Sequence, residues 1–232
     1  MYSRRYLPPP PSVSVANGVY IQDINGGLYT ISEWSKSLTP NGIAVVTDSC
    51  RFVASLLYYG DAEMSYSEYV CDYPVLQTYN TSNFLPIVAS SSIAAYDFEG
   101  KTNTEAILSV SQGFGSPAKT CSNYIFPNGQ NGYLGAAGEM FIFYQLRSTL
   151  NSLYYRLGEL KQLPSGVNVG GYPDAVLFTS TRGQNYVDNF ASWNNYNRFW
   201  ESGMRNGRAD LWQSSSSWYD NQMTVPLTSL EF

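Results

Sequence analysis

Between residues 137 and 160 the side chains Phe143, Leu146, Leu150, Leu153 and Leu157 recur at spacings of three and four. That period lays one apolar stripe along a helix and requires a core for the stripe to rest on. The pattern predicts the strongest helix of the chain, with a break near Ser148.

The segments on either side read as strands and turns. Residues 19–24 and 27–30 flank Asn25-Gly26, a pair that supplies the positive φ angles of a two-residue type I′ turn, so a β-hairpin is expected there. Residues 43–46 and 52–58 are apolar, β-branched or aromatic runs of strand length, expected to be buried. Residues 60–92 carry no assignable pattern and read as an insertion. Thr102 and Glu105 have the spacing of a capping box, and Ser116-Pro117 is suited to open a further turn carrying Ala118 and Cys121. Together these predict a helical region over 103–124, interrupted by Gly113 and Gly115. Residues 175–179 and 223–227 read as strands again. Two main helical regions between strand-rich flanks make the expected class α+β.

The first sixteen residues stand apart. Pro8 to Pro11 favour an extended polyproline II segment that neither joins a helix nor offers donors to a sheet. Residues 1–16 are therefore expected to form an arm, and residues 17–232 a single domain. A disordered tail and a docking peptide both fit this arm. Tyr2, Arg4, Arg5, Tyr6 and Leu7 are its candidate anchor residues, because a purely solvated tail needs no aromatic anchors. No apolar segment follows the two arginines, so a signal peptide is not expected, and no apolar run is long enough to predict a membrane span.

Composition narrows the chemistry. The chain contains no histidine, which removes the commonest general base and most zinc or iron sites. Cys50, Cys71 and Cys121 are too far apart for a metal cluster and read as reduced thiols, with one disulfide plus one free thiol as the alternative. Net charge is -5, so no basic field exists to gather phosphates and no nucleic-acid partner is expected. Asp23, Asp48 and Asp72 match no calcium loop and read as turn and cap residues. Glu139 with Glu201 or Asp210 would be needed for a paired-carboxylate glycosidase, but their spacing does not support the pairing. A carboxylate at position 139 instead suits the positive end of a helix. No catalytic residue, no metal site and no cofactor is expected.

One stretch invites a functional reading. Charged residues make up only 13% of the chain, about half the usual share. Residues 182–218 hold four of the five tryptophans, and no lysine follows Lys161. Tyr and Trp offer stiff contact area while Asn and Ser supply adaptable hydrogen bonds. The candidate ligand-binding residues are Tyr186, Asn189, Trp193, Asn194, Asn195, Tyr196, Asn197, Arg198, Arg205, Asn206 and Arg208. Trp200 and Trp212 are expected to pack inside, and the remainder to form short strands joined by exposed loops.

Residues 19–21 with 27–29, then 42–46, 132–139, 178–181 and 225–227, taken in order, resemble C-type-lectin-fold domains of gut Bacteroidales bacteria and their phages. Relatives show Leu-Pro-Ala-x-Gly-Glu and Trp-Ser-Ser-Thr where this chain has Leu134 to Glu139 and Phe178 to Thr181. The resemblance implies a C-type-lectin-like fold of twisted antiparallel sheets, two helical regions and long surface loops. Some relatives are the variable proteins of diversity-generating retroelements, including phage receptor-binding proteins, in which Asn, Tyr and Ser codons are diversified. Residues 185–212 look like such a region. The calcium-dependent sugar lectins of this fold carry a Trp-Asn-Asp triplet, and Trp193-Asn194-Asn195 lacks its carboxylate. The related formylglycine-generating enzymes need a cysteine pair that nothing here reproduces.

The resulting expectation is a virion or cell-surface adhesion protein rather than an enzyme. It would be a phage fibre or receptor-binding component that presents residues 182–218 to a host glycan or protein. Its arm would dock on other virion or surface-assembly subunits, and a trimer is the expected oligomer. The alternative is a structural virion protein, a decoration or joining piece whose aromatic face binds a neighbouring subunit.

Overall fold

The computed structural model describes residues 15–56, 85–110, 117–158, 176–183, 199–205, 208–213 and 222–230. The architecture is α+β, with two sheets and five helices among the described residues. The proposed arm anchors, the cysteine at 71 and most of the 60–92 insertion lie outside the described residues.

The first sheet collects β1 (Gly18–Asp23), β2 (Leu28–Tyr29), β3 (Pro40–Val46), β4 (Arg51–Ala54), β5 (Tyr133–Leu134) and β10 (Pro226–Ser229). Their order is β2-β1-β3-β4-β10-β5, and every pairing is antiparallel. The apolar run at 43–46 is continuous because both faces of β3 are covered. Ile43 and Val45 join the main core, whereas Ala44 packs with Val53 and Phe126 on the other side.

The β1–β2 hairpin forms, but its turn is longer than the expected two residues. Gly26 donates its N–H to the Asp23 carbonyl, Asp23 N–H reaches the Gly27 carbonyl, and Gly26 sits at φ 87°. This is a three-residue loop with a left-handed glycine, the form that leads into a bulge. Asp23 decides the difference, because its Oδ1 accepts the N–H groups of Asn25 and Gly27 at 3.0 and 2.7 Å.

Five helices lie between the strands: α1 (Ser91–Ala94), α2 (Gly100–Val110), α3 (Pro117–Asn123), α4 (Ala137–Gln145) and α5 (Arg147–Leu157). The stripe read from the sequence is real. Phe143, Leu150 and Leu153 are fully buried against Ile21, Phe52 and Leu227, while Leu146 and Leu157 are partly buried at its margin. The break falls at Leu146, two residues before Ser148. Helix α3 opens at Pro117 and buries Ala118 and Cys121, as expected. The capping box at Thr102 is not one, because α2 already starts at Gly100 and both Thr102 and Glu105 lie inside it. The first turn is closed instead by Asn103 N–H on the Glu99 carbonyl.

The second sheet has the order β8-β7-β6-β9, from β6 (Val176–Arg182), β7 (Phe199–Arg205), β8 (Arg208–Gln213) and β9 (Gln222–Met223). It is mixed rather than antiparallel throughout, since β9 runs parallel to β6. The closing strand expected at 223–227 is two strands, β9 and β10, in different sheets. Thr224 and Val225 carry the chain across, both buried. A hydrogen bond of 2.9 Å from Ser180 N–H to the Gly135 carbonyl ties the two sheets together as well.

Candidate functional site

The second sheet is a stem that determines where the aromatic and asparagine-rich segments leave the body. In β6 and β7, Arg182 pairs with Phe199, and in β7 and β8, Trp200 pairs with Gln213. Residues 184–198 therefore depart from and return to one end of the sheet, and residues 214–221 depart from that same end. The tyrosine-rich 57–84 segment also re-enters there, because the Leu85 carbonyl accepts Nη1 of Arg182 at 2.9 Å. Val88 N–H bonds the Arg182 carbonyl at 2.9 Å, and the Val88 carbonyl accepts Nε1 of Trp200 at 3.0 Å.

This arrangement divides the residues singled out by sequence. Tyr186, Asn189, Trp193, Asn194, Asn195, Tyr196, Asn197 and Arg198 lie outside the described residues, between Gly183 and Phe199 in the chain. Arg205 and Arg208 pair at the other end of the sheet, and Asn206 lies outside the described residues. The seven residues of β7 span roughly 20 Å at strand rise. Arg208 is exposed. The register thus places Arg205 and Arg208 at the end of the sheet opposite to Arg182 and Phe199.

What is described of the stretch itself is mostly interior. Trp200 and Leu211 are buried with Ala94 and Ala137, so the stem packs on α4 and α1. Trp200 thus sits where the sequence reading put it. The side chain of Trp212 lies outside the described residues.

Beneath the stem, polar groups join the start of α4 to the end of β6. Thr181 Oγ1 accepts the Ala137 N–H at 2.8 Å and donates to Asp97 Oδ2 at 2.6 Å. Asp97 also receives Asn103 Nδ2 at 3.0 Å, and its carbonyl receives the Gly138 N–H at 2.9 Å. Glu139 is buried at the first turn of α4, where Oε2 accepts the Ala136 N–H at 2.7 Å and Oε1 accepts the Tyr133 hydroxyl at 2.9 Å. The helix-start role read for it from the sequence is what the geometry provides. Burial, reinforced by Asp97 and Glu99, pushes this carboxyl up to about 7, against the lowering effect of its two donors.

Asp97 and Thr181 were not legible as partners, since 84 residues separate them. Thr181→Val should cost about 2–3 kcal/mol, because it leaves the Ala137 N–H buried without a partner and removes a donor from a carboxylate. Thr181→Ser should lose much less. Urea unfolding of the two variants checks this, and a larger loss in Thr181→Ser than in Thr181→Val would show that the methyl group, not the hydroxyl, matters.

Cys50 is a free thiol pushed up to about 11, chiefly by burial, and Cys121 is a fully buried free thiol pushed well above its ordinary value. Among the described residues, no three acidic or cysteine side chains are grouped as metal ligands would be. None of the described helices is long and apolar enough to cross a membrane.

No family model, no curated protein and no solved structure matches this chain.

Proposed function

We propose that the chain is a recognition domain of C-type-lectin-like fold, an adhesin of a phage virion or bacterial surface, and not an enzyme. It would bind a host surface glycan or protein through the Arg182 end of its second sheet. The observation that supports this reading is the convergence there of residues 184–198, the start of 214–221 and the return of 57–84. These are segments rich in Tyr, Trp, Asn and Ser, carried on a buried stem. Rigid strands beneath side chains suited to contact and hydrogen bonding are what a binding face needs. The buried Trp200 and Leu211 give those segments a fixed base.

The test is Tyr196→Ala combined with Asn197→Ala, assayed on arrayed bacterial polysaccharides and on whole bacterial cells. The expected result is an unchanged melting curve, within about 0.5 kcal/mol, and binding weakened roughly tenfold or more. Unfolding of the double variant would place these residues in the core and end the proposal. Wild-type retention by a folded variant in which Tyr186, Asn189 and Trp193 are also alanine would end it too.

A further inference from the structure

The turn before β3 and the last turn of α5 enclose a cleft of about 550 Å³, lined by Trp34, Lys36, Leu38, Tyr155, Arg156 and Leu157 among others. That is the size range of sites for small organic ligands. We propose that it binds a small organic carboxylate with an apolar, ring-sized body.

Charge is the first reason. The chain is acidic overall, with net charge -5, yet the described lining contains two cations and no carboxylate. The carboxylates of the neighbouring turns are engaged locally. Glu33 accepts the N–H and hydroxyl of Thr30 at 2.9 and 2.7 Å, and Asp23 holds the β1–β2 turn. Among the described residues, Lys36 has no hydrogen-bond or ion-pair partner. Arg156 directs one Nη2 donor to the Trp34 carbonyl at 3.4 Å, which leaves most of its five donors for a ligand. A guanidinium fork beside an ammonium suits a carboxylate, which accepts two parallel bonds from the fork.

The wall is the second reason. Tyr155 is 76% exposed, so its ring is open to contact, and Leu38 and Leu157 are only partly buried. Trp34 is held from below by an edge-on contact with Tyr29, with ring centroids 5.8 Å apart. This fixes the carbonyl that steadies Arg156. An inorganic anion would use the cations and leave the apolar wall idle, whereas a ring-bearing carboxylate meets both.

The test is titration of the full chain with cyclohexanecarboxylate, its neutral amide and inorganic phosphate, followed by NMR and calorimetry. Cyclohexanecarboxylate is expected to shift resonances of Tyr155 and Arg156 and to bind at least tenfold more tightly than the amide or phosphate. Lys36→Gln with Arg156→Gln should remove that difference without changing the melting temperature, because both side chains are exposed. Tyr155→Ala should weaken the carboxylate while leaving phosphate unaffected. Equal response to acid and amide, equal response to acid and phosphate, undiminished binding by the double variant, or silence toward all three probes each overturns the proposal. None of these outcomes depends on the Arg182 end of the second sheet.

Discussion

Glu139→Gln is expected to make the protein less sensitive to alkali, and at pH 8 more stable than the natural chain. Glu139 is raised from an ordinary 4.5 to about 7 in the folded protein, first by burial and then by Asp97 and Glu99. Below about pH 4.5 the folded and unfolded chains both hold the proton, and the contribution of Glu139 to stability is complete. Between 4.5 and 7 the unfolded chain releases it while the folded chain keeps it, so stability declines as pH rises. Above 7 both are ionised and the loss is complete. At about 1.4 kcal/mol per unit the difference reaches roughly 3 kcal/mol, a large share of a typical folding free energy. Glutamine can take over the contacts, its oxygen accepting the Ala136 N–H and its amide donating to the Tyr133 oxygen. Urea unfolding of both proteins from pH 4 to 8 checks the claim. Parallel stability curves would show that the two hydrogen bonds, not burial, govern this carboxyl.

Gly138→Ala should cost 3 kcal/mol or more, which for a chain of this size lowers the melting temperature by roughly 6–12 °C. A Cβ built at Gly138 would lie 2.6 Å from the Asp97 carbonyl, 2.7 Å from the Phe98 ring and 2.8 Å from the Ala95 carbonyl. Two of those three atoms are backbone, so no rotamer change relieves the contact. The start of α4 would have to retreat from the 95–98 segment, stretching the Gly138 N–H bond to Asp97 and displacing Thr181. Since the stem of the second sheet rests on α4, binding through the Arg182 end should fall as well. A melting temperature within 2 °C of the natural protein would show that this junction yields more easily than its geometry indicates.

The elements that sequence made legible are those specified by local physics. The stripe from Phe143 to Leu157 declares its helix because burial repeats with the helical period, and residues 43–46 declare a strand because each side chain is apolar. Pro117 announces a helix start through its fixed φ and missing donor. Glu139 was legible as a helix-start residue because its partner, the Ala136 N–H, is three residues away. Trp200 was expected inside, and it is buried.

Tertiary structure alone decided the rest, because the deciding partners are remote in the chain. A type I′ turn at Asn25-Gly26 was outcompeted by the Asp23 carboxylate, and the capping box at Thr102 by a helix start at Gly100. One apolar run after Gln222 was split between two sheets, a choice that no local pattern encodes. Strand register likewise decided that Arg205 and Arg208 sit at the opposite end of the second sheet from Arg182 and Phe199. The Lys36 and Arg156 cleft was equally silent, since 120 residues of chain separate two cations that only folding places around one space. Sequence by itself determined that the stripe at 143–157 is helical and that 43–46 is a strand, because those properties follow from neighbouring side chains. Which segments share an end, a junction or a cleft was decided by strand register and by hydrogen bonds spanning the chain, such as Thr181 to Asp97.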